Sequence, residues 1–334
     1  MDDQDNTHAT QGWNTYWQGQ SDTKINSPGG VSHPVFPKFW ALALGEFLAI
    51  KPDGKILDIG TGNGALIEYL SQVPNINLKN ASCVDVSRAA IDAVQQRFPD
   101  VTGIAADAAD IPLDAGCFDL ITSQFGIEYA GPAAIDEATR LLAPGGSLLF
   151  LMHMQSGALY QECSAAIDAL DRVAASNFLA LASDFFTQGF AAVRGGDRAP
   201  YEKAARELNP AIQELESILS EHGEHVAGDT IVYLHSTVQN MHSRIQYYDP
   251  DEVLGWLQTT AKELLKHAQR MESMRAAAMD EESFRKLTEK LESQGLRLEK
   301  ATPLQVEGDE LPVAWLLQAS DTSSDPLDTK DETT

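Results

Sequence analysis

The sequence predicts an α/β protein, a mostly parallel sheet wound with helices and interrupted by a large all-helical insertion. From about Lys38 to Leu151, amphipathic helices alternate with short apolar runs, as strand–helix–strand units require. After a long helical stretch the strand pattern returns near the C-terminus, so the chain goes back to finish the sheet it began. In "KILDIGTGNGALIEYL", Lys55 to Leu70, an apolar run ends in an acid and breaks into three glycines at alternate positions.

The first helix is expected over "PKFWALALGEFLAI" and the first strand over "KILDI" (55–59). Helix "ALIEYLSQV" leads to strand "NASCVDV" (80–86), and helix "SRAAIDAVQQRF" to strand "TGIAAD" (102–107). Ser87 suits the N-cap of the second of these helices, because its side-chain oxygen can accept a free backbone N–H. Strand "FDLITSQ" (118–124), helix "PAAIDEATRLL" and strand "SLLFLMH" (147–153) follow, with "APGG" (143–146) stopping the helix and turning the chain. Residues 155–279 read as helix throughout: one long segment to Val193, then three more separated by "RGGDRAP", "HGEHVAGD" and "YDPD". In the last of them Leu254, Leu257, Ala261, Leu264, Ala268 and Met271 recur at intervals of three and four, so one face is buried. A helix "DEESFRKLTEKLESQG" closed by Gly295, a strand "LRLEKATPL" (296–304), a turn and a strand "VAWLLQA" (313–319) complete the sheet. The expected organisation is a segment 1–37, a core of 38–154 and 280–320, a helical insertion 155–279, and an acidic tail 321–334 with too little to bury to be ordered.

Lys and Arg number 24 against 49 Asp and Glu in 334 residues, a net charge of −25. Such a surface repels phosphate backbones and anionic lipid, so neither nucleic acid nor membrane is expected as a partner. No run of 18 apolar residues occurs and the N-terminus "MDDQDNTHATQG" is acidic and polar, which predicts a cytoplasmic protein. Cys83, Cys117 and Cys163 lack C-x-x-C spacing and read as reduced thiols. Of His222, His225, His235 and His242, only the last two share a predicted helix, and no acid stands at ligand spacing, so no metal is expected.

The glycine loop fits two templates. Gly60, Gly62 and Ala65 satisfy the G-x-G-x-x-G/A dinucleotide fingerprint, and Asp85, 21 residues after Gly64, suits a ribose-binding acid, so NAD is allowed. Asp58, two positions before the first glycine, tilts the choice. A carboxylate there repels a pyrophosphate and attracts a ligand carrying an amine and a sulfonium.

The pattern Asp58-x-Gly60-x-Gly62-x-Gly64 resembles the first motif of class I S-adenosylmethionine-dependent methyltransferases. Asp85 corresponds to the family's acid that pairs with the ribose hydroxyls, and "AADAADIPLDAGCFDLITSQF" resembles the segment in which an acid, here Asp107, meets the adenine amine. "LLAPGGSLLFLMH" is similar to the stretch leading into the family's fifth strand, and the closing helix, strand, turn and strand resemble its terminal hairpin. The resemblance implies a Rossmann-like sheet of seven strands with the insertion between strands 5 and 6. It further implies S-adenosyl-L-methionine as cofactor, held by Asp58, Gly60, Thr61, Gly62, Asn63, Gly64, Asp85, Val86, Asp107, Ala108, Gln124 and Phe125.

Methyl transfer from a sulfonium is an in-line displacement, so the acceptor must be held against the methyl carbon with water excluded. In the family, "SQFGIEYA" after the fourth strand borders the methyl group, which makes Glu128 and Tyr129 candidates to touch the acceptor. Glu128 is expected to act as a base or hold an ammonium, or else to cap the next helix. The segment departs from the Asn-Pro-Pro-Tyr type of motif used on adenine or glutamine amides. In the N-terminal segment, Trp13, Tyr16 and Trp17 share a helical face and resemble a flap, and His33 follows Gly29 and Gly30 in a loop where it can titrate near neutrality. Phe178, Phe185, Phe186 and Phe190 either line an apolar pocket or form a helical core. The expected activity is methyl transfer to a small, partly apolar molecule under a helical cap, with the amphipathic insertion suited to a homodimer. A protein methyltransferase and a non-catalytic methyltransferase-like scaffold are the alternatives.

Overall fold

The computed structural model describes residues 33–323. Trp13, Tyr16, Trp17, Gly29, Gly30 and most of the expected tail lie outside the described residues. The chain divides into two compact units, one running to Leu159 and resuming at Ala277, the other Tyr160–Ala276.

The first unit is built on a seven-stranded sheet: β1 (Ile56–Ile59), β2 (Ala81–Asp85), β3 (Thr102–Ala105), β4 (Phe118–Gln124), β5 (Leu142–Met152), β6 (Leu296–Leu304) and β7 (Ala314–Asp321). Their order across the sheet is β3-β2-β1-β4-β5-β7-β6. β1 to β5 are parallel, while β7 runs antiparallel between β5 and β6. Successive strand residues face opposite sides, so β1 splits its three apolar residues between two cores. Leu57 and Ile59 join Ile121, Leu148 and Phe150 under helices Gly131–Leu141 and Glu281–Ser293. Ile56 joins Cys83, Leu120 and Leu151 under helices Val35–Ile50, Ala65–Ser71 and Arg88–Arg97.

Ser87 caps helix Arg88–Arg97 as expected, its Oγ accepting the Ala90 N–H at 3.3 Å. Asp280 does the same for helix Glu281–Ser293 through Ser283 N at 2.7 Å. Three local expectations need correction. "APGG" is no plain turn, because β5 starts at Leu142 opposite Phe118, and the register then shifts so that Ser147 faces Leu120. β7 continues to Asp321, past the expected end at Ala319. Its last residue pairs with Leu296, and Asp321 Oδ2 accepts the Gly145 N–H at 2.9 Å, which draws residues 320 and 321 into the sheet. The first helix begins at Val35, with Phe36 fully buried.

In the second unit the long segment read as one helix is two, Ala158–Ala175 and Phe178–Val193, broken where Asn177 takes a left-handed φ of 55°. Asn tolerates that conformation better than most residues, and no Gly or Pro marks the break. Phe178, Phe185, Phe186 and Phe190 are buried with Leu208, Leu215, Leu234 and Leu257, so they form part of the core of this unit. Among the described residues no helix is long and apolar enough to cross a membrane.

Candidate active site

The glycine loop joins β1 to helix Ala65–Ser71, and its glycines Gly60, Gly62 and Gly64 all have left-handed φ, at 70°, 52° and 80°. Two of them also have no room for a side chain. A Cβ on Gly60 would stand 2.7 Å from Gly126 Cα, and one on Gly64 would stand 2.8 Å from Val94 Cγ2. The loop is therefore clamped between the end of β4 and helix Arg88–Arg97.

Its backbone donors are largely committed. Gly60 N and Thr61 N both donate to Val84 O, at 2.9 and 3.0 Å, and Gly64 N donates to Thr61 O at 2.8 Å. Gly62 N donates to Asp85 Oδ2 at 2.9 Å, and Ser87 N donates to Asp85 Oδ1 at 2.8 Å. A pyrophosphate site needs free N–H groups directed outward. This loop has turned four of its N–H groups onto the protein itself.

Two buried acids stand where a nucleotide's anionic phosphates would be repelled. Asp58 is 1% exposed, and burial pushes its carboxyl up from 3.8 to about 7, with Asp85 adding repulsion. Asp85 is itself shifted upward by burial, against the pull of the Ser87 and Gly62 N–H groups. Cys83, between them on β2, has its thiol pushed up to about 12 by burial and by both acids, so it is inert. The Thr61 hydroxyl is buried in the same place and holds the Asp58 carboxyl down against that rise. Two buried carboxyls beside a loop too tight for side chains suit a cationic adenosyl ligand.

The remaining sequence candidates lie at or just past the carboxyl ends of β3 and β4. Asp107, past β3, accepts the Ala109 N–H at 2.9 Å, and Ala108 packs against the core beneath. Gln124, the last residue of β4, takes the indole N–H of Trp40 at 2.5 Å. Phe125 has a left-handed φ of 56°, and its ring lies 5.2 Å from Phe36 and 4.5 Å from His153. Tyr129 meets His153 edge to face at 5.8 Å.

Glu128 does not cap the next helix. Its Oε1 accepts both the backbone N–H and the ring Nδ1 of His153, at 2.8 and 2.7 Å. His33 Nδ1 accepts the Val35 N–H at 3.2 Å, and its Nε2 lies 3.2 Å from Asp309 Oδ2. Sequence reasoning missed His153 and Trp40, which carry no motif. The four insertion histidines weighed as metal ligands are engaged separately: His222 with Asp168, His225 with Asp229, His242 with Tyr201, and His235 with Glu216 at 3.8 Å.

Residues 57–150 match the model of a family described as methyltransferase domain. They are a class I S-adenosylmethionine-dependent methyltransferase domain. S-adenosylmethionine is the cofactor of that domain. Among known proteins, the chain is 30% identical over 114 residues to a demethylmenaquinone methyltransferase of Beutenbergia cavernae, covering 34% of this chain and 46% of that protein. It is 31% identical over 109 residues to the ubiquinone/menaquinone biosynthesis C-methyltransferase UbiE of Campylobacter jejuni, covering 31% and 46%. A solved structure described as converting a disulfide bond into a thioacetal group in echinomycin biosynthesis overlaps 48% of this chain and 67% of its own, at 19% identity and a TM-score of 0.38. The chain spans about half the length of the relatives it matches. The methyltransferase domain match stops at residue 150, short of the helical unit.

Proposed function

We propose that this protein transfers a methyl group from S-adenosylmethionine to a small, partly apolar molecule. The observation that carries the reading is the committed glycine loop with Asp58 and Asp85 buried beside it, a setting that favours a cation over a pyrophosphate. The cofactor supplies an electrophilic methyl group on a sulfonium. The residues that would hold it are Asp58 toward its amine, the loop Gly60, Thr61, Gly62, Asn63 and Gly64, Asp85 with Val86 toward its ribose, and Asp107 with Ala108 toward its adenine. Gln124 and Phe125 would border the methyl group. An apolar acceptor is supported by the rings of Phe36, Phe125 and Tyr129 grouped at the ends of β4 and β5, and by relatives whose names concern quinone biosynthesis. His33 we leave out of the chemistry, since its Nδ1 is held by the Val35 N–H and its Nε2 faces Asp309. The net charge of −25 supports an enzyme that does not engage nucleic acid. Selection of the acceptor by the helical unit, and dimerisation through it, belong to the same proposal.

Incubating the full chain with a cell lysate and S-adenosylmethionine labelled in its methyl group tests the acceptor class. Label in the solvent-extractable small-molecule fraction is expected. Label confined to precipitated protein would overturn it in favour of a protein acceptor.

A further inference from the structure

Glu128 and His153 form a buried pair outside the residues assigned above to the cofactor. Their side chains are 1% and 4% exposed, and the far atom of each, Glu128 Oε2 and His153 Nε2, is sealed from solvent with no hydrogen-bond partner. Unpaired buried polar atoms cost free energy, so such atoms in a native structure point to a partner that arrives later. We propose that His153 Nε2 is the general base that draws the proton from a ring hydroxyl of the acceptor, with Glu128 as its positioning residue. This rests on the methyl-transfer reading above.

The geometry fixes the roles. Glu128 Oε1 is already spent on the His153 backbone N–H and on Nδ1, so it is poorly placed to act as a base itself. A carboxylate that accepts from Nδ1 keeps the proton on that nitrogen and leaves the Nε2 lone pair bare. The pair also stands in the right place. His153 follows the last residue of β5 and Glu128 lies four residues past the end of β4, at the carboxyl edge where open parallel sheets bind ligands. Gly126, two residues before Glu128, is the glycine that presses on Gly60 of the cofactor loop.

The surroundings select the acceptor. Phe125 and Tyr129 put aromatic rings against His153, which suits a planar apolar ring. An amine attacks through a lone pair it already has. A ring hydroxyl is a poor nucleophile until its proton is drawn off, and there a placed base contributes about 10²–10⁴-fold. Phe125, the ring nearest His153, is the side chain that gives way to admit the hydroxyl. Its left-handed backbone, uncommon for a bulky residue, is consistent with a position kept for function. In the step, the hydroxyl oxygen bonds to the methyl carbon as the carbon–sulfur bond breaks and leaves its electron pair on sulfur. The hydroxyl proton passes to Nε2, and Glu128 neutralises the imidazolium until water removes the proton.

Two measurements on the full chain test this. Nitrogen-15 resonances of the imidazoles, with His153 assigned by its loss in His153→Gln, should show Nδ1 protonated and Nε2 bare; a ring protonated on Nε2 alone overturns the proposal. Turnover with S-adenosylmethionine is then followed on 1-naphthol, 2-naphthol and catechol, beside calorimetric binding of S-adenosylhomocysteine. Methyl ether formation on at least one probe is expected. His153→Gln should lower kcat by about 10²–10⁴-fold while S-adenosylhomocysteine binding is unchanged. Glu128→Gln should lower kcat with KM little moved, and Glu128→Asp should recover part of the loss. S-adenosylhomocysteine binding with no ether from any probe, or a fully active His153→Gln, sinks this proposal and leaves the cofactor reading standing. Absence of S-adenosylhomocysteine binding to the wild-type chain takes down both.

Discussion

Gly60 and Gly126 press backbone to backbone: a Cβ on Gly60 would stand 2.7 Å from Gly126 Cα, and one on Gly126 would stand 2.9 Å from Gly60 Cα. The contact ties the cofactor loop after β1 to the segment after β4 that carries Phe125 and Glu128. Gly60 also needs a left-handed φ of 70°, whereas Gly126 sits at −134°. Gly60→Ala should therefore cost about 1–2 kcal/mol more than Gly126→Ala, the difference being the backbone term alone. Urea unfolding of the two variants measures it, and both should lose S-adenosylmethionine affinity because the two segments are forced apart.

Asp85→Ala should leave the Gly62 and Ser87 N–H groups without their acceptor. The expected cost is about 1–3 kcal/mol of stability for a donor left unpaired, and cofactor binding should be lost with the carboxylate. Asp85→Asn keeps one acceptor oxygen and should lose less stability than Asp85→Ala in the same denaturation experiment.

Asp58 makes the unliganded protein sensitive to pH. Its folded carboxyl titrates at about 7 against an ordinary 3.8, so between those values the folded chain holds a proton that the unfolded chain gives up. The stability this contributes is full below about pH 4 and is lost as pH rises through 7. Over that window the change is about 4 kcal/mol at most. Asp58→Asn, neutral throughout, should flatten the slope and gain on wild type most at pH 8, as read by denaturation at several pH values.

Ser87→Ala removes the cap of helix Arg88–Arg97 and keeps the backbone N–H that holds Asp85. About 1 kcal/mol of stability should go, with cofactor affinity unchanged within error in a calorimetric titration. An equal fall in affinity would show that the cap, rather than the N–H, orients Asp85.

The strands of the sheet were legible because each is a short apolar run bounded by turn residues, and Asp58, the glycines and Asp85 because they crowd around one strand-to-helix turn. His153 was not, since 25 residues separate it from Glu128 and only the β4–β5 register, with Gln124 opposite Leu151, brings their strand ends side by side. Asn177 hid a helix break for a different reason, a left-handed residue with no Gly or Pro beside it. At 143–146 the glycines suggested a stop, whereas Asp321, far along the chain, supplies the hydrogen bond that lets β5 begin earlier. Where local chemistry decides, the sequence was sufficient; where a partner arrives from a distant segment, it was not.

The most direct test of the account is calorimetric titration of the full chain, wild type and Asp85→Ala, with S-adenosylmethionine, S-adenosylhomocysteine and NADH. Binding of the first two to the wild type, lost in the variant, with no heat from NADH, is the predicted result. Binding of NADH without either adenosyl ligand would contradict the reading of Asp58 and of the committed loop, and with it the assignment of methyl transfer.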